Sequence, residues 1–246
     1  FEMPRTKERL AVLGYGEKQI DIRQMNFSEL NILSEECGPL DFVLADLGVS
    51  SMQIDNPERG FSFKIEGPLD LRLNPYMGKS AAQILKNISQ EELEIVLLEN
   101  ADEPFYELIA RAIKSTISKG NKISTTTDLQ ELIKETLKYL PENIRKEETK
   151  KSCQRCFQAL RIEVNNEFEA LDNFLYKLPE ALAPGGRIAI LSFHSGEDRR
   201  VKKSFQAMSR EGIYSSIAPD PIRPSVEECH NNPRAKSAKL RWAIKA

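Results

Sequence analysis

The sequence predicts an α/β domain that carries a helical insertion, and three observations lead to this prediction. Near the N-terminus, helix-like and strand-like segments alternate. Three amphipathic helical segments follow without a convincing strand between them, and the alternation then resumes up to the C-terminus. Alternating helices and strands are typical of a sheet with helices on its faces. A chain of 246 residues is long enough to form both parts.

The first alternation occupies the segment before the insertion. Residues 5–13 predict the end of a helix, with Gly14 as its cap. Residues 19–25 predict a strand, and residues 27–36 predict a short helix. The run "DFVLAD" at 41–46 is continuously apolar in its centre, which predicts a strand buried on both faces of a parallel sheet.

The insertion is predicted by apolar residues that recur at spacings of three and four between residue 80 and about residue 150. Ser89 and Glu92 predict a capping box, and Thr127 is the predicted cap of the third helical segment. The helical segments are "AAQILKNISQEELEIVLLEN", "EPFYELIARAIKSTI" and "TTDLQELIKETLKYL". We therefore divide the chain into a first part of the main domain at 1–75, a helical insertion at 76–152 and a second part of the main domain at 153–246.

The alternation resumes after the insertion. "LAPGGRIAILSFH" at 182–194 predicts a turn followed by a strand that ends at His194, and residues 197–212 predict the next helix. Residues 213–218 and 238–246 predict two late strands. Before them, a stripe of apolar residues at helical spacing predicts core positions: Leu160, Val164, Phe168, Leu171, Leu175 and Leu178.

Composition is that of a soluble globular protein, with 40% hydrophobic and 29% charged residues. No apolar run has the length of about 20 residues that a membrane span requires. The pair Cys153 and Cys156 has neither the second pair nor the nearby histidines of a structural zinc site. We expect reduced thiols, which are typical of a cytoplasmic protein. A location in an organelle stays an alternative, if a leader has been lost.

The net charge of −2 hides a local excess of basic residues. From Ser192 to Ala246, Lys and Arg outnumber Asp and Glu by eleven to six. The C-terminal quarter therefore predicts either a contact face for a polyanion or an ordinary solvated surface.

Candidate chemistry lies where predicted strands end, because ligands of open parallel sheets bind outside the carboxyl ends of the strands. Phe27, Asp46 and His194 hold such positions. Asp46 either faces a ligand or starts a turn through its own side chain, and His194 is either structural or part of an active-site rim. The glycines of "LGYGEK" at 13–18 follow a helix rather than a strand, which favours helix capping over a nucleotide loop.

Four segments carry a resemblance to a known family. They are "ADLGVSSMQIDNPERGFSFKIEGPLDLRLNP", "CFQALRIEVNNEF", "LAPGGRIAILSFHSGEDRRVKK" and "NPRAKSAKLR". In this order they resemble the bacterial 16S ribosomal RNA cytosine-N4 methyltransferase family, from about Arg5 to the C-terminus. The resemblance implies a class I, Rossmann-like fold with a doubly wound sheet that binds S-adenosyl-L-methionine. It also implies that the helical insertion recognises the substrate, a cytosine in the decoding region of small-subunit ribosomal RNA.

The resemblance carries roles over to individual residues. By the resemblance, Phe27, Asp46 and Gln53 match cofactor contacts. Asp46 and His194 are the candidate catalytic residues because of their positions at predicted strand ends, where Asp46 could accept from the amino group and His194 could orient the base. No metal is expected. The implied partner is small-subunit RNA or the assembling small subunit, and a homodimer stays open. The candidate RNA contacts are Arg199, Arg200, Lys202, Lys203, Arg234, Lys236, Lys239 and Arg241.

The sequence also departs from the family pattern. Before the helix at Arg5, the family has a strand, a glycine-rich loop and a second strand, and none of these occurs in this chain. Gly196 stands where the family has a leucine. Besides the enzyme, a non-catalytic RNA-binding or ribosome-assembly factor derived from the family therefore stays open. A methyltransferase of small molecules agrees less well with the helical insertion and the basic C-terminal segment.

Overall fold

The computed structural model describes residues 2–16 and 18–246. Within these residues the sheet has four strands: β1 (Leu40–Asp46), β2 (Leu182–Ser192), β3 (Tyr214–Ile217) and β4 (Lys239–Lys245). Their order across the sheet is β1–β2–β4–β3, with β1 parallel to β2 and β4 antiparallel to both of its neighbours. The predicted α/β class is confirmed.

The helices of the described residues fall before, between and after the strands. They are α1 (Glu2–Val12), α2 (Leu30–Cys37), α3 (Ser51–Asp55), α4 (Ala81–Asn87), α5 (Gln90–Ala101), α6 (Tyr106–Ser118), α7 (Thr126–Thr136), α8 (Glu142–Asn165), α9 (Glu167–Ala181), α10 (Ser195–Arg210) and α11 (Val226–Asn231). Among them, no helix is both long enough and apolar enough to cross a membrane.

Two expectations about the N-terminal segment need correction or restriction. The strand predicted at 19–25 is wrong, because residues 20–26 have no regular secondary structure. A strand needs a neighbour to bond with, and the described sheet ends at β1. Gly14 follows α1 with a φ of +89°, as expected of a helix cap. In the "LGYGEK" segment, Glu17 lies outside the described residues.

The strand predicted at 41–46 is confirmed as β1, but its burial on both faces is wrong. Val43 is 9% exposed, whereas Phe42 is 59% and Leu44 is 61% exposed. Successive side chains of a strand point to opposite faces, and Val43 packs into a buried cluster with Leu30 of α2 and Leu175 of α9. In the described part of the chain, helices therefore cover one face of this edge strand only.

The core is divided into two clusters. One contains the sheet together with α2, α9 and α10, and the other is formed mainly by α4 to α8. The predicted apolar stripe is indeed core, but it belongs to two helices, because Asn166 has a φ of +50° between α8 and α9. Leu160 packs in the helical cluster and Leu171 in the sheet cluster. The division at 75 and 152 stays a prediction, and α8 runs across the second boundary unbroken.

The helix caps show which local predictions hold. Ser89 Oγ accepts a hydrogen bond from the Glu92 amide, 3.1 Å away, and the Glu92 carboxylate accepts one from the Ser89 amide, 2.9 Å away, so this capping box is confirmed. Thr127 as the cap of α7 is wrong. Thr125 is the cap, since its Oγ1 accepts from the Asp128 amide at 3.0 Å and Asp128 accepts in return.

The four cysteines are free thiols, as expected, and Cys153 and Cys156 are buried in the helical cluster. Burial raises the pKa of Cys153 to about 11. The thiolate that would bind a metal or react is therefore disfavoured.

Glu103 links the start of α6 to α8 through hydrogen bonds inside the helical cluster. It is fully buried, and its carboxylate accepts hydrogen bonds from Ser152 Oγ at 2.8 Å, from Arg155 Nε at 2.8 Å and from the Phe105 amide at 3.0 Å. A buried carboxylate of this kind is tolerated only because all of these partners are present.

Glu103→Gln is expected to lower the free energy of unfolding by roughly 3 kcal/mol, because the buried carboxylate that pairs with Arg155 becomes a neutral amide. Urea denaturation measures this change. The control is Glu99→Gln, an exposed position at the end of α5, with an expected change within about 0.5 kcal/mol. Equal effects of the two substitutions would show that the Glu103 contacts contribute nothing.

Candidate functional site

Asp46 is the last residue of β1 and lies at the carboxyl end of the sheet, where the sequence predicted a ligand site. The register of the parallel pair places Asp46 opposite Leu191, so the loop after β1 begins beside the end of β2. The Leu47 amide donates to the Leu191 carbonyl at 3.0 Å, which ties the first loop residue to β2. The carboxyl ends of the two parallel strands therefore meet at one site.

A first cavity of about 500 Å³ opens at this edge. Its walls are mostly apolar, and Phe27 contributes a ring that packs edge-on against Phe174 at 5.3 Å between centroids. Its acidic lining residues are Asp46, Glu167 and Glu197. A concave, mostly apolar cavity of this size with a few convergent polar groups is typical of a small-molecule site.

A second cavity of about 1000 Å³ lies between the loop after β1 and the C-terminal segment at 222–240. Asp46, Leu47 and Gly48 line both cavities, so this turn is the wall that they share. The turn depends on Gly48, whose φ of +97° lies in the region that favours glycine.

The predicted cofactor contacts are distributed over the two cavities. Phe27 lines the first, Gln53 lines the second, and only Asp46 lines both. Gln53 also has a structural task, since its Oε1 accepts from the Ser50 amide at 2.9 Å and Ser50 Oγ caps α3 in return. The structure therefore brings Asp46 and Phe27 together and places Gln53 on the other side of the shared wall.

His194 is held as the N-cap of α10. Its Nδ1 accepts from the Glu197 amide at 3.4 Å, and its Nε2 lies 3.2 Å from Glu197 Oε1 without forming a hydrogen bond. The imidazole lines neither cavity, and its side chain is 11% exposed. In this arrangement the His194 imidazole contacts the start of its own helix, and its catalytic role stays a prediction.

An ion pair between Arg161 and Glu167 lies between the two cavities. Arg161 lines the second cavity and donates from Nε and Nη2 to the two carboxylate oxygens of Glu167, each at 2.8 Å, and Glu167 lines the first cavity. The ligand atoms of Glu167, His194 and Glu197 lie within 4.8 Å of one another. Because Arg161 already engages both oxygens of Glu167, the cluster has the chemistry of a charge network rather than of a metal centre.

Asn165 is a site residue that sequence reasoning missed. It lines the first cavity, its Nδ2 donates to the Leu71 carbonyl at 2.8 Å, and its Oδ1 accepts from the Leu73 amide at 2.6 Å. The Asn-Asn pair at 165–166 signals a helix end. It does not reveal a partner more than ninety residues earlier in the chain.

The eight candidate RNA contacts fall into two groups. Five of them pair with carboxylates of the protein itself: Arg199 with Asp102, Arg200 with Asp172, Arg234 with Asp55, and both Lys239 and Arg241 with Asp198. Arg241 is only 5% exposed. The other three, Lys202, Lys203 and Lys236, are exposed and have no carboxylate partner among the described residues.

The α/β sheet, with the parallel pair β1–β2 and a cavity at their carboxyl ends, agrees with the fold of a class I methyltransferase. The chain belongs to the MraW methylase family, whose sequence model matches residues 3–246. The methyl donor of this family is S-adenosyl-L-methionine.

Three curated relatives are similar over the whole chain. Ribosomal RNA small subunit methyltransferase H 2 of Alkaliphilus metalliredigens is 69% identical, and the match covers 100% of this chain and 70% of that protein. Ribosomal RNA small subunit methyltransferase H 1 of Lachnoclostridium phytofermentans is 62% identical, with 100% and 67% covered. Ribosomal RNA small subunit methyltransferase H 2 of Acholeplasma laidlawii is 50% identical, with 100% and 70% covered.

The first cavity fits the methyl donor. The sulfonium and the amino group of S-adenosyl-L-methionine are cationic, and the cavity combines apolar walls with the carboxylate of Asp46, whereas Glu167 is already paired with Arg161. Phe27 would contact the apolar part of the donor, and Asp46 would lie beside its charged part.

The acids at the start of α10 carry lowered pKa values. Burial acts to raise the pKa of Glu197, but the adjacent His194 imidazole and the hydrogen bond from the Phe193 amide outweigh it and lower the pKa. Burial also acts to raise the pKa of Asp198, and the hydrogen bonds from Arg241 and Lys239 outweigh it. Both carboxylates thus stabilise the folded protein in their ionised form.

Because these pKa values are lower in the folded than in the unfolded protein, their contribution to stability is complete above about pH 4.3, the ordinary value for glutamate. It is lost as the pH falls through the folded values. Glu197→Gln and Asp198→Asn are each expected to reduce the loss of unfolding free energy between about pH 5 and about pH 3, as measured by urea denaturation. Glu211→Gln, at the exposed end of α10, is expected to keep the full acid sensitivity. If all three variants lose stability as the unsubstituted protein does, Glu197 and Asp198 are not the source of the acid sensitivity.

Proposed function

We propose that this protein transfers a methyl group from S-adenosyl-L-methionine to the exocyclic N4 of a cytosine in the decoding region of small-subunit ribosomal RNA. One observation carries the proposal: the carboxylate-bearing turn at Asp46 is the shared wall of a donor-sized cavity and a larger, open cavity. The names of the relatives support the small ribosomal subunit as the source of the RNA.

The role of Asp46 follows from the chemistry of the amino group. The lone pair of the cytosine N4 is delocalised into the ring, so N4 is a poor nucleophile. The bound donor supplies an electrophilic methyl group. Asp46 accepts a hydrogen bond from N4–H, which favours the geometry in which the lone pair points at the methyl carbon and stabilises the positive charge that develops. The N4–C bond forms as the carbon–sulfur bond breaks, and the proton passes from N4 to the carboxylate or to water.

The remaining residues hold the two reactants in place. In this proposal Phe27 and the other walls of the first cavity position the donor, and Gln53 and the C-terminal segment shape the second cavity for a cytosine removed from its stack. His194 acts as a positioning residue, since it holds Glu197 and the start of α10 behind the first cavity.

RNA binding is proposed to rest mainly on Lys202, Lys203 and Lys236. These ammonium groups are exposed and have no carboxylate partner among the described residues, so they are available to phosphates. The paired arginines at 199, 200 and 234 would have to exchange a carboxylate for a phosphate. We also propose that the helical insertion contributes to RNA recognition, and that the enzyme acts on free or assembling subunits in the cytoplasm.

The direct test is transfer of a labelled methyl group from the donor to small-subunit RNA, followed by nucleoside digestion and mass spectrometry. The proposal requires the label to appear as N4-methylcytidine from the decoding region. Label on another base or position would refute it. RNA binding without any transfer by the purified protein would support a non-catalytic assembly factor instead.

Asp46→Asn is expected to lower the rate of methyl transfer about 10²-fold or more, because the amide is a weaker acceptor and does not stabilise developing positive charge. The rate is measured in single turnover with saturating RNA and donor. Asp41→Asn is the matched control, since Asp41 is an exposed acid at the other end of β1, and its expected rate is that of the unsubstituted protein. Equal rates for both variants would remove Asp46 from the reaction.

Substitution of each exposed lysine is expected to change the salt dependence of RNA binding. Lys202→Gln, Lys203→Gln and Lys236→Gln should each reduce the slope of log K against log salt concentration by about 0.7 to 0.9, the value of one phosphate contact. Lys7→Gln, an exposed position on α1, is the control and should leave the slope unchanged. If the slopes of the three lysine variants equal that of the Lys7→Gln control, Lys202, Lys203 and Lys236 do not contact the phosphates.

A further inference from the structure

The segment Asn74–Lys79, here called the 74–79 loop, presents two large apolar side chains to solvent. Tyr76 is 85% exposed and Met77 is 70% exposed. Isolated apolar residues on a surface are ordinary. Two neighbours at the tip of one loop, followed by the exposed ammonium of Lys79, form a distinct surface feature.

The base of this loop is held by an arginine from a different segment. Arg59 Nη2 donates to the Arg72 carbonyl at 2.7 Å and to the Leu73 carbonyl at 2.8 Å. Arg72 in turn forms an ion pair with Asp70 at 2.7 Å. Hydrogen bonds to a charged donor are stronger than those between neutral groups, so the backbone that leads into the loop is fixed.

The tip has its own contacts. Asn74 Oδ1 accepts from the Tyr76 amide at 3.1 Å, and the Asn74 carbonyl accepts from the Met77 amide at 3.3 Å. The Leu73 amide donates to Asn165 Oδ1 at 2.6 Å, which fastens the loop to α8. Polar groups of the segment thus fix the backbone of the loop, while the side chains of Tyr76 and Met77 remain exposed to solvent. The ordering entropy of such a loop is already lost before a partner binds.

The loop lies beside the proposed site. Leu73 and Asn165 both line the first cavity. Tyr76 is three residues after Leu73, and three residues of chain span at most about 11 Å. The loop therefore lies on the first-cavity side of the wall at Asp46 that the two cavities share, within reach of a nucleotide chain that crosses this wall to place one base in the second cavity.

The chemistry of the tip matches a nucleotide better than a protein. A flat, exposed aromatic ring stacks on a base, and the exposed ammonium of Lys79, three residues further along the chain, can pair with a phosphate. A stable protein interface buries about 800 Å² on each partner, which is far more than two side chains offer. One unstacked base needs only one ring.

We propose that the 74–79 loop is a stacking platform for an unpaired nucleotide adjacent to the target cytosine, with Tyr76 as the stacking ring and Lys79 beside the phosphate. The identity of the nucleotide chain as RNA rests on the function proposed above. Tyr76 contacts neither the reacting atoms nor the donor cavity. Its loss weakens RNA binding and leaves donor binding unchanged.

The test measures binding of a fluorescein-labelled decoding-region RNA to the purified protein by fluorescence anisotropy. Tyr76→Ala is expected to raise the Kd at least about fivefold, the lower limit for loss of one base–aromatic stack, whereas Tyr76→Phe keeps the ring and the affinity. Tyr176→Ala is the matched control, because Tyr176 is 76% exposed on α9, and it should bind as the unsubstituted protein does.

A second readout reports stacking itself. An RNA that carries 2-aminopurine next to the target cytosine should lose fluorescence on binding the unsubstituted protein and Tyr76→Phe, and retain it with Tyr76→Ala. Affinities of Tyr76→Ala and Tyr176→Ala within twofold of the unsubstituted protein, or quenching that persists in Tyr76→Ala, would overturn the proposal. Thermal unfolding of both alanine variants checks that the fold is intact.

The two proposals fail differently. If the unsubstituted protein binds RNA through Tyr76 but transfers no methyl group to cytosine N4, the function proposed above fails and the platform stands. If methyl transfer occurs and Tyr76→Ala binds RNA normally, the platform fails and the function stands.

Discussion

The parallel pairing of β1 with β2 decides where this chain can perform chemistry. The two strands are separated by 135 residues of sequence between Asp46 and Leu182, yet their carboxyl ends meet because they run in the same direction. Asp46 and the start of α10 are brought to one edge of the sheet by this pairing alone. The long connection between the strands then leaves room for the helical cluster and for the 74–79 loop beside the site.

Several charged side chains around the site are neutralised within the protein. Arg161 pairs with Glu167 between the two cavities, and Arg241 pairs with Asp198 at the start of α10. These pairs fix the walls of the site, whereas the exposed lysines of α10 stay available to a polyanion. The basic excess of the C-terminal quarter is therefore a mixture of structural and solvent-facing charges, which have different tasks.

Sequence reasoning succeeded where the signal is local. The strand at β1, its terminal Asp46 and the Ser89 capping box are encoded by adjacent residues, and the structure contains all three. It was wrong where a partner decides the outcome. The segment at 19–25 alternates as a strand does but has no described neighbour to pair with, and Phe42 is exposed because no described helix covers its face of β1.

The contacts of the candidate site show the same limit. Asn165 holds Leu71 and Leu73, which are more than ninety residues away in sequence, and no local pattern encodes such a contact. Arg241 belongs to a basic motif, but its burial depends on Asp198 from another element. Gln53 lines the second cavity because of the path that the loop after β1 takes. The sequence motif around Gln53 does not encode this path.

Methyl transfer in this protein requires that two cavities meeting at Asp46 are occupied at the same time. Isothermal titration with S-adenosyl-L-homocysteine, the demethylated donor, tests this most directly when it is performed on the purified protein alone and on the protein saturated with decoding-region RNA. Separate cavities predict one-to-one binding in both titrations, with Kd values that agree within a few-fold. Loss of binding in the presence of RNA would mean that donor and acceptor compete for one cavity, and would contradict the account.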